Sequence, residues 1–275
     1  MRAAPDAPAG PTDTDADGVA DSDDRCPLVA DNQNDEDGDG IGDRCDNCPL
    51  DVNPDQDNKD SDGLGDACDA LSNAFDCTAH IGGLMTLDAW TIVSATWTVD
   101  NGDLVVDNTS AQQGLIVSTA SYAQPYVVVT VELTKVAGNA ILSAVEVWGQ
   151  TMAPGPGGNQ TLPNGVLAQV YDTTNTPAML RLMVMRDQAG STLATQKLAP
   201  DANFAIGTNL RMSIDLRTGT LAGAATSGTS NAIVTDTTAT AGSAPVALRV
   251  LNVGARVRNV WIVVPGTDPC PPPTQ

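Results

Sequence analysis

The sequence predicts an all-β protein in two parts: an acidic segment with little regular secondary structure, then an antiparallel β-sandwich of the jelly-roll kind. Three observations carry this. The first is a charge seam: residues 1–76 hold 22 of the chain's 34 acidic residues against four basic ones, so most of the net −21 lies in the first quarter of 275 residues. The second is that this quarter lacks any helical or alternating apolar pattern, yet repeats itself every 22 to 23 residues. The third is a change of texture near residue 76, from where short runs rich in Val, Ile, Leu and Thr follow one another between Gly, Asn, Asp and Pro. The expected boundaries are a linker at 1–12, the repeats at 13–69, the sandwich at 70–268 and a Pro-rich tail at 269–275.

Each repeat spaces oxygen donors as a twelve-residue calcium loop does. Positions 1, 3, 5, 9 and 12 are Asp13, Asp15, Asp17, Asp21 and Asp24 in the first copy, and Asp35, Asp37, Asp39, Asp43 and Asp46 in the second. They are Asn58, Asp60, Asp62, Asp66 and Asp69 in the third, where neutral Asn58 leaves room for Asp57 to be recruited. Gly18, Gly40 and Gly63 stand at position 6, and the carbonyls of Val19, Ile41 and Leu64 would supply the position-7 oxygen. Calcium is a hard cation that takes six to eight oxygens, so short carboxylates on a tightly curled backbone suit it. Without the ion these carboxylates repel one another, so the metal would act as the core of the segment and its binding energy would become folding energy. At least one Ca2+ per loop is expected. EF-hands are excluded, because Pro27, Pro49 and Pro54 interrupt the flanks where helices would run and position 12 is Asp.

Six cysteines, at 26, 45, 48, 68, 77 and 270, fit disulfides better than free thiols. Zinc competes through Cys45-x-x-Cys48, but no second such pair or nearby histidine completes a tetrahedral set. Six cysteines allow fifteen pairings. Disulfides imply an oxidising compartment, hence a secreted, periplasmic or cell-surface protein. Met1-Arg2-Ala3-Ala4 has no apolar h-region, so an export signal is expected to have been trimmed. The acidity argues against nucleic acid, and the lack of a long apolar run against membrane insertion.

"DTDADGVADSDDRCP", "DEDGDGIGDRCDNCP" and "NPDQDNKDSDGLGDACD" resemble thrombospondin type 3 repeats over residues 13–69. The resemblance implies a chain wrapped around a row of calcium ions, and disulfides Cys26–Cys45 and Cys48–Cys68, leaving Cys77 for Cys270. "DNQNDED" at 31–37 departs from the family's Asn-Pro-Asp-Gln, present here as residues 53–56. That departure bears on how many ions each loop holds.

The expected strands are 90–99, 103–107, 114–119, 126–134, 140–148, 165–172, 178–186, 209–217, 244–253 and 256–264, many of them alternating apolar and polar. So many runs with turn signals and no helix predict an antiparallel sandwich. "DAWTIVSATWTVDNGDLVVDN", "GLIVSTASYAQPYVVVTVEL" and "VGARVRNVWIVV" resemble the opening and closing strands of concanavalin A-like (laminin G-like) jelly rolls across 76–265. That family holds lectins, adhesion modules and glycoside hydrolases, so the fold leaves function open.

Catalysis is not expected. The β part has two glutamates, Glu132 and Glu146, on different strands and beside apolar neighbours, which reads as two solvent-facing strand residues. The chain's single histidine, His80, has no Gly-x-Ser-x-Gly partner motif. Trp97, Trp148 and Trp261 read as core fillers. Trp90, on the opposite face to Trp97 if 90–99 is unbroken, and Tyr122, Tyr126 and Tyr171 are the aromatic candidates for a binding surface. Rim loops at 152–165 and 186–208 are the expected binding region. The expected function is an extracellular calcium-binding protein whose metal-stabilised repeat presents a lectin-like sandwich to a glycan or an extracellular protein. The alternative is a structural subunit of a surface layer, fibre or appendage that self-associates through the β domain.

Overall fold

A computed structural model describes residues 12–69, 76–80, 86–107, 113–136, 142–152, 164–173, 176–186, 189–198, 205–217, 221–227, 230–236 and 243–266. The first of these segments contains turns and bends and no strand, as the sequence predicts. The strands follow: β1 (Asp76–His80), β2 (Trp90–Ser94), β3 (Trp97–Asp100), β4 (Asp103–Val106), β5 (Gln113–Ser118), β6 (Tyr122–Ala123), β7 (Tyr126–Val136), β8 (Leu142–Met152) and β9 (Asn164–Thr173). They continue as β10 (Thr176–Arg186), β11 (Ala189–Lys197), β12 (Asn209–Asp215), β13 (Leu221–Ser227), β14 (Ser230–Asp236), β15 (Ser243–Ala244), β16 (Ala247–Leu251) and β17 (Val253–Pro265). One 3-10 turn, Leu87–Ala89, precedes β2.

All pairings are antiparallel. An eight-stranded sheet runs β14-β13-β12-β7-β17-β4-β3 with β1 added to β17, and a seven-stranded sheet runs β11-β10-β9-β8-β16-β5-β2. Val127, Val129, Val131 and Ile262 of the first sheet meet Val145, Val147, Leu180 and Leu248 of the second in one buried core. Each such side chain contributes roughly 1.5–3 kcal/mol on leaving water.

The single strand expected at 90–99 is two strands in different sheets. Ala95, at φ 63°, turns the chain between β2 and β3. Trp90 and Trp97 therefore both enter the core rather than facing opposite ways, at 5% and 2% exposed. Asn252, at φ 54°, makes the same kind of crossing from β16 to β17, dividing the run expected at 244–253. Left-handed backbone is the conformation that Asn tolerates best among side-chain-bearing residues.

Five strands lay outside the expected set: β1, β6, β11, β13 and β14. The last two read "LAGAATS" and "SNAIVTD", whose small and polar residues carry little alternation. β11 occupies part of the rim loop expected at 186–208, while the loop expected at 152–165 lies almost wholly outside the described residues, as do the 1–12 linker and the 269–275 tail.

Two expectations about side chains are corrected. Glu146 does not face solvent: it is fully buried, accepting from Arg249 Nε (2.7 Å) and Nη2 (2.6 Å), from Trp148 Nε1 (2.9 Å) and from Gln169 Nε2. Its neighbours in sequence are apolar because the strand is buried on both faces, which breaks the rule that alternation marks a wet face. Glu132 is half-buried and accepts from Arg258 Nη2 at 2.5 Å. Among the aromatic candidates, Trp90 and Tyr122 are core residues. Tyr126 packs edge-on against Trp261 and under Arg217, and Tyr171 lies under Arg181 at 4.4 Å. Trp97, Trp148 and Trp261 are buried, as expected for core fillers.

Candidate metal centre

The first two repeats curl because their first aspartate holds the loop's own amides. Asp13 Oδ1 and Oδ2 accept from the N–H groups of Ala16 (2.8 Å) and Gly18 (3.2 Å), and Asp35 does the same for Gly38 (2.7 Å) and Gly40 (3.1 Å). Gly18 and Gly40 sit near φ +100°, open only to glycine at low cost. The third loop differs at both places. Asn58 instead donates Nδ2–H to the Asp62 carbonyl at 2.9 Å, and Gly63 is required by proximity, since a Cβ there would lie 2.8 Å from the Thr78 amide nitrogen of β1.

Carboxylate oxygens converge in four places among the described residues: Asp13, Asp15 and Asp17; Asp17, Asp24 and Asp31; Asp35, Asp37 and Asp39; and Asp60, Asp62 and Asp69. The position-9 aspartates belong to none of these groups. Asp21 accepts from Thr14 N (2.7 Å), Asp43 from Glu36 N (2.9 Å) and Asp66 from Lys59 N (3.0 Å), so each braces the start of its loop. Asp57 lies outside them too and supplies its carbonyl to Asp66 N–H at 2.8 Å. Asp46 stands apart from Asp35, Asp37 and Asp39 of its own loop, accepting from Cys48 N (2.7 Å) and Gln56 Nε2 (2.7 Å). The N–H groups of Val19, Ile41 and Leu64 donate to the position-5 aspartates at 2.8, 2.9 and 2.6 Å.

Asp31 was not among the residues expected from loop spacing, although it is 7% exposed and belongs to the second group. Its signal in the sequence is a step of seven: 17, 24, 31. The same step gives Asp39, Asp46 and Asn53, then Asp62, Asp69 and Asp76. In all three copies the last residue's N–H returns to the position-5 Oδ2: Asp31 to Asp17 (3.3 Å), Asn53 to Asp39 (2.8 Å) and Asp76 to Asp62 (2.8 Å). Gln33 Nε2 reaches into the first of these groups, 2.8 Å from Asp24 and 2.7 Å from Asp31.

The donor set fits a divalent cation. Position 3 leaves one buried oxygen without a hydrogen-bond donor in every loop, at Oδ2 of Asp15, Asp37 and Asp60; Asp24 Oδ2, Asp31 Oδ2 and Asn58 Oδ1 share this state. Buried carboxylate oxygens are costly to leave unpaired, and an oxygen-only shell of short aspartates is calcium chemistry. The charge state says the same. Desolvation, with Asp39, Asp46 and Asp35 adding repulsion, pushes Asp37 up to about 6; desolvation pushes Asp43 up to about 7 against the donors Glu36 N–H and Asn259. Asp17 moves the other way, lowered chiefly by the Val19 and Asp31 amides.

Disulfides Cys26–Cys45 and Cys48–Cys68 staple successive repeats. Cys77 is disulfide-bonded, and its expected partner Cys270 lies outside the described residues. The staples dictate glycine at position 8: a Cβ on Gly42 would lie 2.6 Å from Cys26 Sγ, and one on Gly65 2.8 Å from Cys48 Sγ.

With the loops in place, the comparison with known families is direct. Residues 33–56 match the thrombospondin type 3 repeat. No curated protein matches the chain. Solved structures similar to it include carbohydrate-binding module CBM66 from Bacillus subtilis, at 16% identity and TM-score 0.46 over 62% of this chain and 93% of that one. The VIP36 exoplasmic/lumenal domain in its Ca2+/Man3GlcNAc-bound form is similar at 10% identity and TM-score 0.48, over 68% and 88%. The Bacillus licheniformis β-glucanase is similar at 10% identity and TM-score 0.46, over 67% and 97%.

The repeats do not stand away from the sandwich. Leu50 and Leu64 pack on Val128, Trp261 and Val263, on the outer face of the eight-stranded sheet. Arg211 donates to the Leu50 carbonyl (2.5 Å) and to Asp51 (3.0 Å), and Asp76 meets Arg217 Nη1 at 2.7 Å with both side chains buried. The loops are thus laid onto the sheet by apolar contact and fixed there by charge. No helix among the described residues is long and apolar enough to cross a membrane.

Proposed function

We propose that this is an extracellular calcium-binding protein in which several Ca2+ ions fold the repeats and clamp them to a lectin-like sandwich that binds a glycan. The observation that carries the calcium reading is the recurring orphaned position-3 oxygen within converging aspartates. Two repeat-linking disulfides support an oxidising, extracellular location. The resemblance of residues 76–265 to concanavalin A-like jelly rolls supports the glycan. A non-enzymatic role is supported by the state of the two glutamates, since Glu146 is bound by Arg249 and Glu132 by Arg258, leaving no facing pair of carboxylates there for glycoside hydrolysis. Calorimetric titration with calcium, followed by a glycan array in calcium and in chelator, tests it. Saturable calcium binding at several sites and calcium-dependent array signals are expected; no heat at millimolar calcium would overturn the reading.

A second reading, self-association, is favoured by one observation. Ile92 and Val93 on edge strand β2, and Val99 on edge strand β3, are exposed at 41–43%, and Ile233 on edge strand β14 at 65%. Exposed apolar edge strands are templates for pairing. Sedimentation over a concentration series in calcium tests this: a monomer throughout would discard it.

A further inference from the structure

The outer face of the eight-stranded sheet carries a polar row beside the apolar patch on which Leu50 and Leu64 dock, and two of its members, Arg211 and Asn259, also hold the repeats. Thr226, Arg211, Thr130 and Asn259 stand opposite one another on β13, β12, β7 and β17, two residues along from Val128 and Trp261. Thr130 is 7% exposed and Asn259 0%. Thr130 Oγ1 and Asn259 Oδ1 are both buried with no hydrogen-bond partner. Buried polar side chains are paired in the large majority of folded proteins, and Thr130, unlike Asn259, lines an open cleft, so its orphaned hydroxyl points to a partner from outside the chain.

A cleft of about 160 Å3 opens over Thr130, walled by Asn209, Arg211, Thr226 and Arg258 from the sheet and by Glu36 from the second loop. Its volume is about that of five waters, or one sugar ring. Its charges are already answered. Arg211 is held by Leu50 O and Asp51, and Arg258 by Glu132. An incoming anion would meet Glu36 and an incoming cation two guanidiniums. An uncharged ligand rich in hydroxyls meets neither penalty, and hydroxyls both donate and accept, as Thr130, Thr226 and Asn209 require.

We infer that this cleft takes a single neutral sugar ring, the terminal residue of a glycan, with the Thr130 hydroxyl as its central hydrogen-bonding partner. The inference rests on the glycan reading proposed above and assigns that binding to the junction of repeat and sheet, not to the sandwich rim. The second calcium loop forms one wall: Glu36 lies between Asp35 and Asp37, and its N–H donates to Asp43, which in turn accepts from Asn259 at 3.2 Å. Calcium bound in that loop would therefore shape the cleft from behind this wall. No aromatic ring lines it, so binding rests on hydrogen bonds and falls in the millimolar range expected of a ligand with about a dozen heavy atoms.

The test is amide NMR on the whole chain in millimolar calcium, titrated separately with methyl glycosides of glucose, galactose, mannose, xylose and N-acetylglucosamine. At least one is expected to shift the amides of Thr130, Asn209, Arg211 and Thr226. Thr130→Val should weaken it about tenfold, Thr130→Ser should retain it, and chelator should abolish it. Thr226→Val, on the half-exposed wall, should weaken it too, and serves should Thr130→Val fail to fold. Shifts confined to other surfaces, or Thr130→Val binding as the wild type does, overturn the cleft while glycan binding stands. No shift from any sugar and no array signal, with calcium still bound, overturn both. A cleft that holds water only, with the array positive, overturns the cleft alone.

Discussion

Asn259, on β17, donates its Nδ2–H to Asp43 of the second calcium loop across 3.2 Å, and both side chains are buried. The contact ties the last strand of the sandwich to the metal-binding segment, beside Leu50 and Leu64 on Val128, Trp261 and Val263. Chelation is therefore expected to do more than melt residues 13–69: it uncovers an apolar stretch of sheet. A ligand at about a hundredfold its Kd stabilises by about 2.7 kcal/mol per site, which for a chain of this size is a shift on the order of 5–10 °C. Thermal scans with and without chelator, with Trp fluorescence and dye binding as second readouts, measure it. A sandwich transition unmoved by chelator would show that the two parts are independent.

Asp17 belongs to two carboxylate groups and Asp15 to one. Asp17→Asn is accordingly expected to weaken two calcium sites and Asp15→Asn one. Outer-shell changes at metal sites cost about 10–100-fold in affinity, so removing a ligand charge costs at least that. Calcium stoichiometry by calorimetry at fixed free calcium separates the two variants. Equal losses from both would mean that Asp31 and Asp24 hold no ion of their own.

The raised carboxylates fix a direction of pH dependence. Asp37, at about 6, and Asp43, at about 7, hold their protons more tightly folded than unfolded. In chelator, stability contributed by these groups is therefore greatest near pH 4 and falls as pH rises toward 7, because the unfolded chain gives up its protons first. In calcium the sign reverses, since the ion needs the charged form and protons compete with it. Half-saturating calcium is expected to rise as pH drops from 7.5 to 5.5. Asp17, whose folded value is lowered, adds stability that is lost only below its unfolded range near 4, outside this window. Calcium titrations at the two pH values, paired with melts in chelator, check both halves.

Glu146 and Arg249 form a buried pair on the seven-stranded sheet with Gln169, Arg181 and Trp148 around them. Removing one partner strands a buried charge, at a cost of about 3–5 kcal/mol. Glu146→Leu and Arg249→Met should each destabilise strongly in urea, whereas the double variant should recover much of the loss. Additive losses in the double variant would mean that the pair is not coupled.

How far the sequence foretold this protein follows from what kind of signal each part leaves. The convergence of aspartates at positions 1, 3 and 5 was legible because oxygens spaced for a hard cation fall at fixed steps along one local stretch of chain. Asp31 escaped because its step of seven crosses from one loop into the next, where Pro and Asn obscure the register. Strands β7 and β17 were plain from their Val and Ile runs, while β13, made largely of Ala, Gly, Thr and Ser, had too little apolar contrast to show. The fate of Glu146 could not be read locally at all. Its partners Arg249 and Gln169, and Arg181 that holds Gln169, arrive from three other strands, and only the sheet's order places them together. The docking of repeat onto sheet was hidden for the same reason, since Leu50 and Leu64 look like isolated apolar residues in an acidic run.

Glycine is required at position 6 and at position 8 for different reasons, and substitutions should separate them. Gly40 has open space around its missing Cβ but sits at φ +99°, so Gly40→Ala meets backbone strain alone, about 1–2 kcal/mol. Gly42 has no such strain, yet a Cβ there would lie 2.6 Å from both Cys26 Sγ and Asp31 Oδ2. Gly42→Ala must push the first disulfide or Asp31 aside, and overpacking of this kind costs about 1–3 kcal/mol. The first repeat, which has no preceding staple, carries Ala20 at the equivalent place. Stability alone does not distinguish the two variants. Calcium binding does: Gly42→Ala displaces a member of the Asp17, Asp24 and Asp31 group and is expected to weaken calcium in the first repeat, while Gly40→Ala acts on the second. Resonances of Asp24 and Asp31 followed through a calcium titration of each variant would decide it, and unchanged first-repeat binding in Gly42→Ala would remove Asp31 from the set of ligands.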